Sequence, residues 1–259
     1  MSSASTAPDT KQPATLPGRR RTELLSDGAY LFEDELSGGT IDASVITCAA
    51  WLLELYEIRS GDVGFTVGTN RVRPISKCFG VFYPPFSITK PAFQNAYGRI
   101  IGVADSSDLP AEFLTTPLLF ETSWITPSSA ADAAEIIRAG TKQQTITAFP
   151  SASLLSLKAK QLIDEHHLAY PAIARVTERL GVSHAHLSRQ FKKDFGMTPS
   201  GYLRRLRVAD APLRLARGEE IIDVSLEVGY NDLSRFYKQF RQTTKTSPGA
   251  CKTLLRPRR

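Results

Sequence analysis

The apolar residues change their rhythm near residue 150. From about Ala29 to Ala104 they fall in short runs separated by turn residues, the signature of strands. Trp51-Leu52-Leu53-Glu54-Leu55-Tyr56-Glu57-Ile58 reads as one strand, Ser60-Gly61-Asp62 as a turn, and Val63 to Val67 alternates loosely. Arg99 to Val103 reads as another strand. Phe82-Tyr83-Pro84-Pro85-Phe86 is excluded from a central strand, because each proline removes a ladder donor. Ser128 is placed to cap a helix running through Ala133, Glu135, Ile136 and Ile137 to Gly140, which sits where a left-handed C-terminal glycine belongs. Residues 141–153, with Pro150, read as a linker. After Ser153 the period is helical: Leu154, Leu157, Lys158, Gln161, Leu162 and Glu165 share a face and predict an inward apolar stripe. The expected fold is α+β. A mainly-β domain over 27–150 is followed by an all-α domain over 154–259.

Within the helical half the same pattern is written twice. Ser183-His184-Ala185-His186-Leu187-Ser188-Arg189-Gln190-Phe191-Lys192 recurs, 49 residues later, as Asp232-Leu233-Ser234-Arg235-Phe236-Tyr237-Lys238-Gln239-Phe240-Arg241. Thr198-Pro199 recurs as Ser247-Pro248. In the first copy Ile173, Val176, Thr177 and Leu180 lie at i, i+3, i+4 and i+7, and so share a buried face. Gly181 then ends the helix and Ser183 caps the next, which buries Leu187 and Phe191. The second copy repeats the plan with Ile221, Val224, Ser225 and Val228, then Gly229, the cap Asp232, and buried Phe236 and Phe240. Two helices joined by a glycine turn, with the second capped and polar outside, make a helix-turn-helix. Between the units, Tyr202 to Arg217 forms a basic helix of about 24 Å at roughly 1.5 Å per residue. That suits two recognition helices set about one DNA turn apart, roughly 34 Å. Pro212 is expected to kink or end it.

Residues from about 155 to 252 resemble the DNA-binding domain of AraC/XylS-type bacterial transcription regulators. The matching stretches are Leu180-Gly181-Val182-Ser183, Leu187-Ser188-Arg189-Gln190-Phe191-Lys192, Phe195-Gly196-Met197-Thr198-Pro199, Tyr202, Arg207, Val228-Gly229-Tyr230, Ser234-Arg235-Phe236 and Phe240. Five residues depart from the family pattern. Thr177 and Ser225 replace alanine at the helix crossings, Pro212 interrupts the linker helix, and Lys245 and Cys251 replace glycine and tyrosine. The resemblance implies base contacts from Ala185, Ser188 and Arg189 in the first unit, with His184 and His186 as weaker candidates. In the second unit it implies Leu233, Ser234, Tyr237 and Lys238. Arg189 has the fork that reads guanine O6 and N7. Lys192, Lys193, Arg204, Arg205 and Arg241 suit phosphate, which gives affinity without sequence choice.

Charge supports this division of labour. Residues 151–259 hold 20 Lys and Arg against 10 Asp and Glu, whereas residues 1–150 hold 12 against 16. Such asymmetry is the footprint of polyanion binding by the basic half. Residues 1–26, with Arg19-Arg20-Arg21, read as a disordered tail. Cys48, Cys78 and Cys251 are widely spaced and read as reduced thiols of a cytoplasmic protein. No apolar run approaches the roughly 18–20 residues that span a bilayer.

For the N-terminal half the resemblance implies a sensing or dimerisation domain, often a cupin-like barrel. Trp51, Tyr56, Phe82, Tyr83, Phe86, Phe93 and Tyr97 read as plain core, with an apolar pocket as the second option. Metal-dependent cupins need clustered histidines, yet all four lie at or after His166. No nucleophile elbow or glycine-rich phosphate loop is present. The sequence therefore predicts a regulator and not an enzyme, with no cofactor and no metal. Its expected partners are double-stranded DNA and RNA polymerase, with a small-molecule effector and a homodimer as further options. An architectural DNA-bending protein is the alternative, and an enzyme fused to a DNA-binding domain the less favoured one.

Overall fold

The computed structural model describes residues 19–25, 27–38, 40–42, 45–47, 49–74, 76–106, 113, 116–169, 172–244 and 246–255. The N-terminal half is an antiparallel sheet. Its strands are β1 (Arg19–Leu24), β2 (Tyr30–Ser37), β3 (Thr40–Asp42), β4 (Val45–Ile46), β5 (Trp51–Val67), β6 (Asn70–Val72), β7 (Cys78–Tyr83), β8 (Ile88–Asp105), β9 (Leu118–Glu121) and β10 (Thr141–Thr145). They run in the order β1-β2-β8-β5-β7-β9-β10, with β3 and β4 added to β8 and β6 added to β5. Helix α1 (Ala130–Ala139) packs Ala133, Ala134, Ile136 and Ile137 onto one face, against Trp51, Leu53, Leu55 and Phe82. The other face carries Tyr56, Phe65, Phe79 and Phe93, with Tyr56 and Phe79 stacked at 4.7 Å. Glu54 lies on that side too. Burial pushes its carboxyl up to about 7, against the pull of the Tyr56 hydroxyl, which donates to it at 2.6 Å.

Several strand-level expectations need correction. Arg19 to Leu24, read as tail, pair with β2 through Leu24↔Tyr30. Ser60-Gly61-Asp62 is not a turn. β5 runs straight through it with shifts in register against β8, so the extra length is absorbed as an irregularity in one long strand. Phe82 and Tyr83 belong to a central strand, paired on both sides, because the two prolines begin only after the last ladder bond is made. Residues 141–145, read as linker, form β10 on the edge of β9. Helix α1 is capped by Ser129, whose hydroxyl accepts from Asp132 N at 3.0 Å, and not by Ser128. Ser128 instead donates to the Asp132 side chain. Gly140 has φ −59 and is not left-handed, because the chain passes directly into β10.

The helical domain comprises α2 (Leu154–His166), α3 (Ala172–Leu180), α4 (His184–Phe195), α5 (Pro199–Ala216), α6 (Ile221–Glu227), α7 (Leu233–Thr244) and α8 (Pro248–Leu255). Its core is in two halves strung along α5. The first joins α2, α3 and α4 to Tyr202, Leu203 and Leu206; the second joins α6, α7 and α8 to Val208, Ala211, Leu213 and Leu215. α2 does not bury the expected stripe. Leu154 is 66% exposed and Leu157 37%, while Ser156, Ala159 and Ile163 face inward. The small Ser156 and Ala159 let α2 approach closely, and Ser153 sets its rotation by donating its N–H and its hydroxyl to Asp194 of α4, at 3.2 and 2.6 Å.

The sheet touches each half separately. Ile46 and Ile88 enter the first core, and Lys160 of α2 donates to the Phe86 carbonyl at 2.8 Å. Tyr30 and Ala50 enter the second, and Arg217 pairs with the buried Asp105 at 3.0 Å.

Candidate nucleic-acid interface

Helix α3 buries Val176, flanked by the half-buried Ile173, Thr177 and Leu180, as its spacing predicts. Thr177 fits the crossing by returning its hydroxyl to the Ala174 carbonyl at 2.8 Å. Gly181 turns the chain at φ +64, a conformation costly for a side chain that bears a Cβ. Ser183 then accepts from His186 N at 3.2 Å, opening α4. Leu187, Phe191 and Phe195 are buried, and Gly196 closes the helix at φ +73.

The second unit obeys the same physics. Val224, Ser225 and Val228 are buried, and Ser225 bonds the Ile222 carbonyl at 2.8 Å. Gly229 turns at φ +84, and Asp232 accepts from Arg235 N at 3.1 Å to open α7. The closing turns also match. Thr198 caps α5 and Ser247 caps α8, each accepting at 3.1 Å, and each is followed by a proline at the first helical position. Cys251 lies buried among Phe236 and Phe240, while Lys245 lies outside the described residues. Of the other cysteines, Cys78 is a half-buried free thiol, and Cys48 is also outside the described residues.

Helix α5 runs for 18 residues and through Pro212, so of the expected kink or end the end does not occur. At about 1.5 Å per residue it is roughly 27 Å long. Arg207 on this helix joins the two units. Its guanidinium donates to the carbonyls of His167 at 2.6 Å, Ala169 at 2.9 Å and Gly229 at 3.2 Å. The end of α2 and the glycine turn of the second unit therefore share one cation, and burial lowers its pKa. In the first unit Asp194 is a second anchor. Burial opposes its charge, but hydrogen bonds from Ser153 and Gln190 outweigh it and hold the carboxyl far below its ordinary range. Asp164 moves the other way: burial raises it, despite Lys160 at 2.7 Å and the Tyr202 hydroxyl at 2.6 Å.

The residues expected to meet DNA lie on the outside. Ala185 and Arg189 are exposed on α4, with Ser188 half-buried beside them; His184 and His186 are exposed at its start. On α7, Leu233 is 40% and Tyr237 36% exposed, with Ser234 and Lys238 open to solvent. Lys192, Lys193, Arg204, Arg205 and Arg241 are exposed, and among the described residues none of them is held in an ion pair. Sequence reasoning misses two further cations, Arg175 and Arg179 on α3, which are exposed on the helix that precedes the turn. It also leaves Arg207 as a motif match without a role. The first two are findable from the helical spacing of α3, which leaves them off the face of Val176 and Leu180; the third is not, because its partners are backbone carbonyls distant in sequence.

Comparison with known proteins agrees with this geometry. Residues 176–253 match the family described as a helix-turn-helix domain. An uncharacterised HTH-type transcriptional regulator of Bacillus subtilis, YbfI, is 28% identical over 100 residues, covering 39% of this chain and 36% of that protein. The HTH-type transcriptional activator RhaR of Klebsiella pneumoniae is 35% identical over 78 residues, covering 30% and 28%. The matched stretch thus spans about a third of the length of these relatives. In three dimensions ToxT from Vibrio cholerae aligns over 89% of this chain and 98% of its own, with a TM-score of 0.53 at 10% identity. That likeness covers both the sheet and the helices, and so concerns the fold. Residues 176–253 therefore form a helix-turn-helix domain, set behind an N-terminal antiparallel sheet.

Proposed function

We propose that the chain is a sequence-specific DNA-binding transcription regulator which places α4 and α7 in successive major grooves on one side of the duplex. One observation carries the reading: two capped helices with cation-bearing outer faces are held at fixed spacing by α5 and by Arg207. In this reading Ala185, Ser188 and Arg189 read bases from the first unit, and Leu233, Ser234, Tyr237 and Lys238 from the second. Lys192, Lys193, Arg204, Arg205 and Arg241 grip phosphate, joined by Arg175 and Arg179. It acts by binding and not by catalysis, in the bacterial cytoplasm, with RNA polymerase as the protein it regulates. The test is selection of bound duplexes from random sequence, followed by footprinting. Two protected stretches about one helical turn apart are expected; protection without any sequence preference would favour an architectural protein instead.

Control through the N-terminal sheet completes the proposal. Ile46, Ile88 and the Phe86 carbonyl bear on the first unit, whereas Tyr30, Ala50 and Asp105 bear on the second. A ligand or a dimer contact that shifts the sheet would alter both contacts together, and so the placement of the two units. ToxT has been solved with an unsaturated fatty acid bound, which supports a small-molecule effector for this fold.

A further inference from the structure

The helices that precede the two glycine turns occupy equivalent places and present opposite chemistry. On α3 the exposed positions are Ala174, Arg175, Glu178 and Arg179. The same offset that relates Gly181 to Gly229 carries them onto Ile222, Asp223, Leu226 and Glu227 of α6, all exposed as well. Two arginines become two acids. Alanine and glutamate become isoleucine and leucine, 56% and 55% exposed. In a helix-turn-helix the first helix crosses the DNA backbone, where cations gain from phosphate and carboxylates lose. α3 fits that task. α6 does not, and its apolar pair in open solvent is the mark of a protein contact.

The complementary surface is on this same chain. The outer face of α2 presents the exposed Leu154, Leu157 and Lys158. Lys158 has no ion-pair partner among the described residues, and neither has Asp223; Glu227 also reaches Arg214 on α5. α2 belongs to the first half of the helical core and α6 to the second. We infer that the α6 face of one copy receives the α2 face of a second copy, head to tail, when two copies occupy neighbouring sites in the same orientation. The inference rests on the DNA-binding reading. The contact pairs leucine and isoleucine side chains with one another and sets Lys158 against Asp223. It is not self-closing, so the number of sites on the DNA sets the number of copies. Two short helix faces bury far less than the roughly 1,200 Å² of a stable interface. The contact is therefore weak in solution and acts when DNA raises the local concentration.

The experiment compares the full chain on duplexes carrying one selected site or two in tandem, by gel shift. The second copy is expected to bind about tenfold more tightly than the first, within the usual range of coupling between sites. Ile222→Ser/Leu226→Ser and Leu154→Ser/Leu157→Ser should each abolish that gain and leave single-site affinity unchanged. Lys158→Glu should abolish it too, and adding Asp223→Lys in the same chain should restore it. Equal affinity for one site and two, or a gain that survives both serine pairs, overturns the inference while the DNA-binding reading stands. Loss of single-site affinity in Ile222→Ser/Leu226→Ser makes α6 a DNA contact and overturns it as well. So does loss of transcription activation by RNA polymerase in that variant with the tandem gain intact, which would assign the face to polymerase. Failure to bind any duplex sinks both readings.

Discussion

The two helix-turn-helix units share a backbone plan and differ in almost everything they show to solvent. Both turn at a left-handed glycine, both open the second helix with a side-chain cap, and both close on a capped proline. Outside, the first presents Arg175, Arg179, Arg189, Lys192 and Lys193, whereas the second presents Ile222, Leu226, Leu233 and Tyr237 among fewer cations. The residues that make the turns are thus alike in the two units, and the exposed residues are not. The backbone demands are the same in both places, but the surface demands are not. In the proposed reading the first unit holds phosphate and reads a base; the second is more apolar and acidic on its leading helix.

The largest test of this contrast is Arg207, which ties the end of α2 to the turn of the second unit. Arg207→Ala removes the donor from three carbonyls and should cost about 3 kcal/mol in stability, taking charged hydrogen bonds at roughly 1.5–3 kcal/mol each and allowing for water at the exposed sides. Arg207→Lys should recover little, since an ammonium lacks the fork. An unchanged melting temperature would mean that the units are held together without it.

The next test is specificity. Arg189→Ala should lose about 1–3 kcal/mol of discrimination between a selected site and random duplex, measured by competition, and Lys238→Ala distinctly less. Equal losses would erase the proposed division between a reading unit and a positioning unit. A third comparison uses the glycines. Gly181→Ala meets no atom within 4 Å and should cost only the left-handed strain of about 1–2 kcal/mol. Gly229→Ala adds a contact at 3.0 Å with the Arg207 guanidinium and should cost more in urea denaturation. The reverse order would show that Arg207 yields freely. The smallest effect is on salt dependence. Arg179→Ala should lower the slope of log affinity against log salt by about one unit; Glu227→Ala should leave it the same or slightly steeper.

Much of the helical domain was legible from the chain because its signals are local. A glycine needing φ above zero, a cap three residues before its N–H partner, and apolar spacing of three and four are each written within one turn. The sheet was less legible. β10 is wholly exposed and polar, so no apolar pattern announced it; it exists because β9 offers an edge. β5 and β8 read as several short strands because irregular register lets long strands bend across turn-like residues. The same limit applied to α2, where an apolar stripe at helical spacing lost to a face of Ser156 and Ala159. Burial there was decided by how closely the helix could approach α4, and Ser153 and Asp194 set that approach.

The chain by itself determined the doubled helix-turn-helix, its caps and turns, the buried phenylalanines and the uneven distribution of charge, because each depends on residues close in sequence or on composition. The tertiary structure decided which faces are left outside. Arg207 became a joint only when the carbonyls of His167, Ala169 and Gly229 converged on it. Asp105 became a contact for Arg217 only when the end of β8 met the end of α5. Leu154, Leu157, Ile222 and Leu226 became surface for the same reason: the periodicity of a helix says which residues share a face, but only packing chooses the face that is covered.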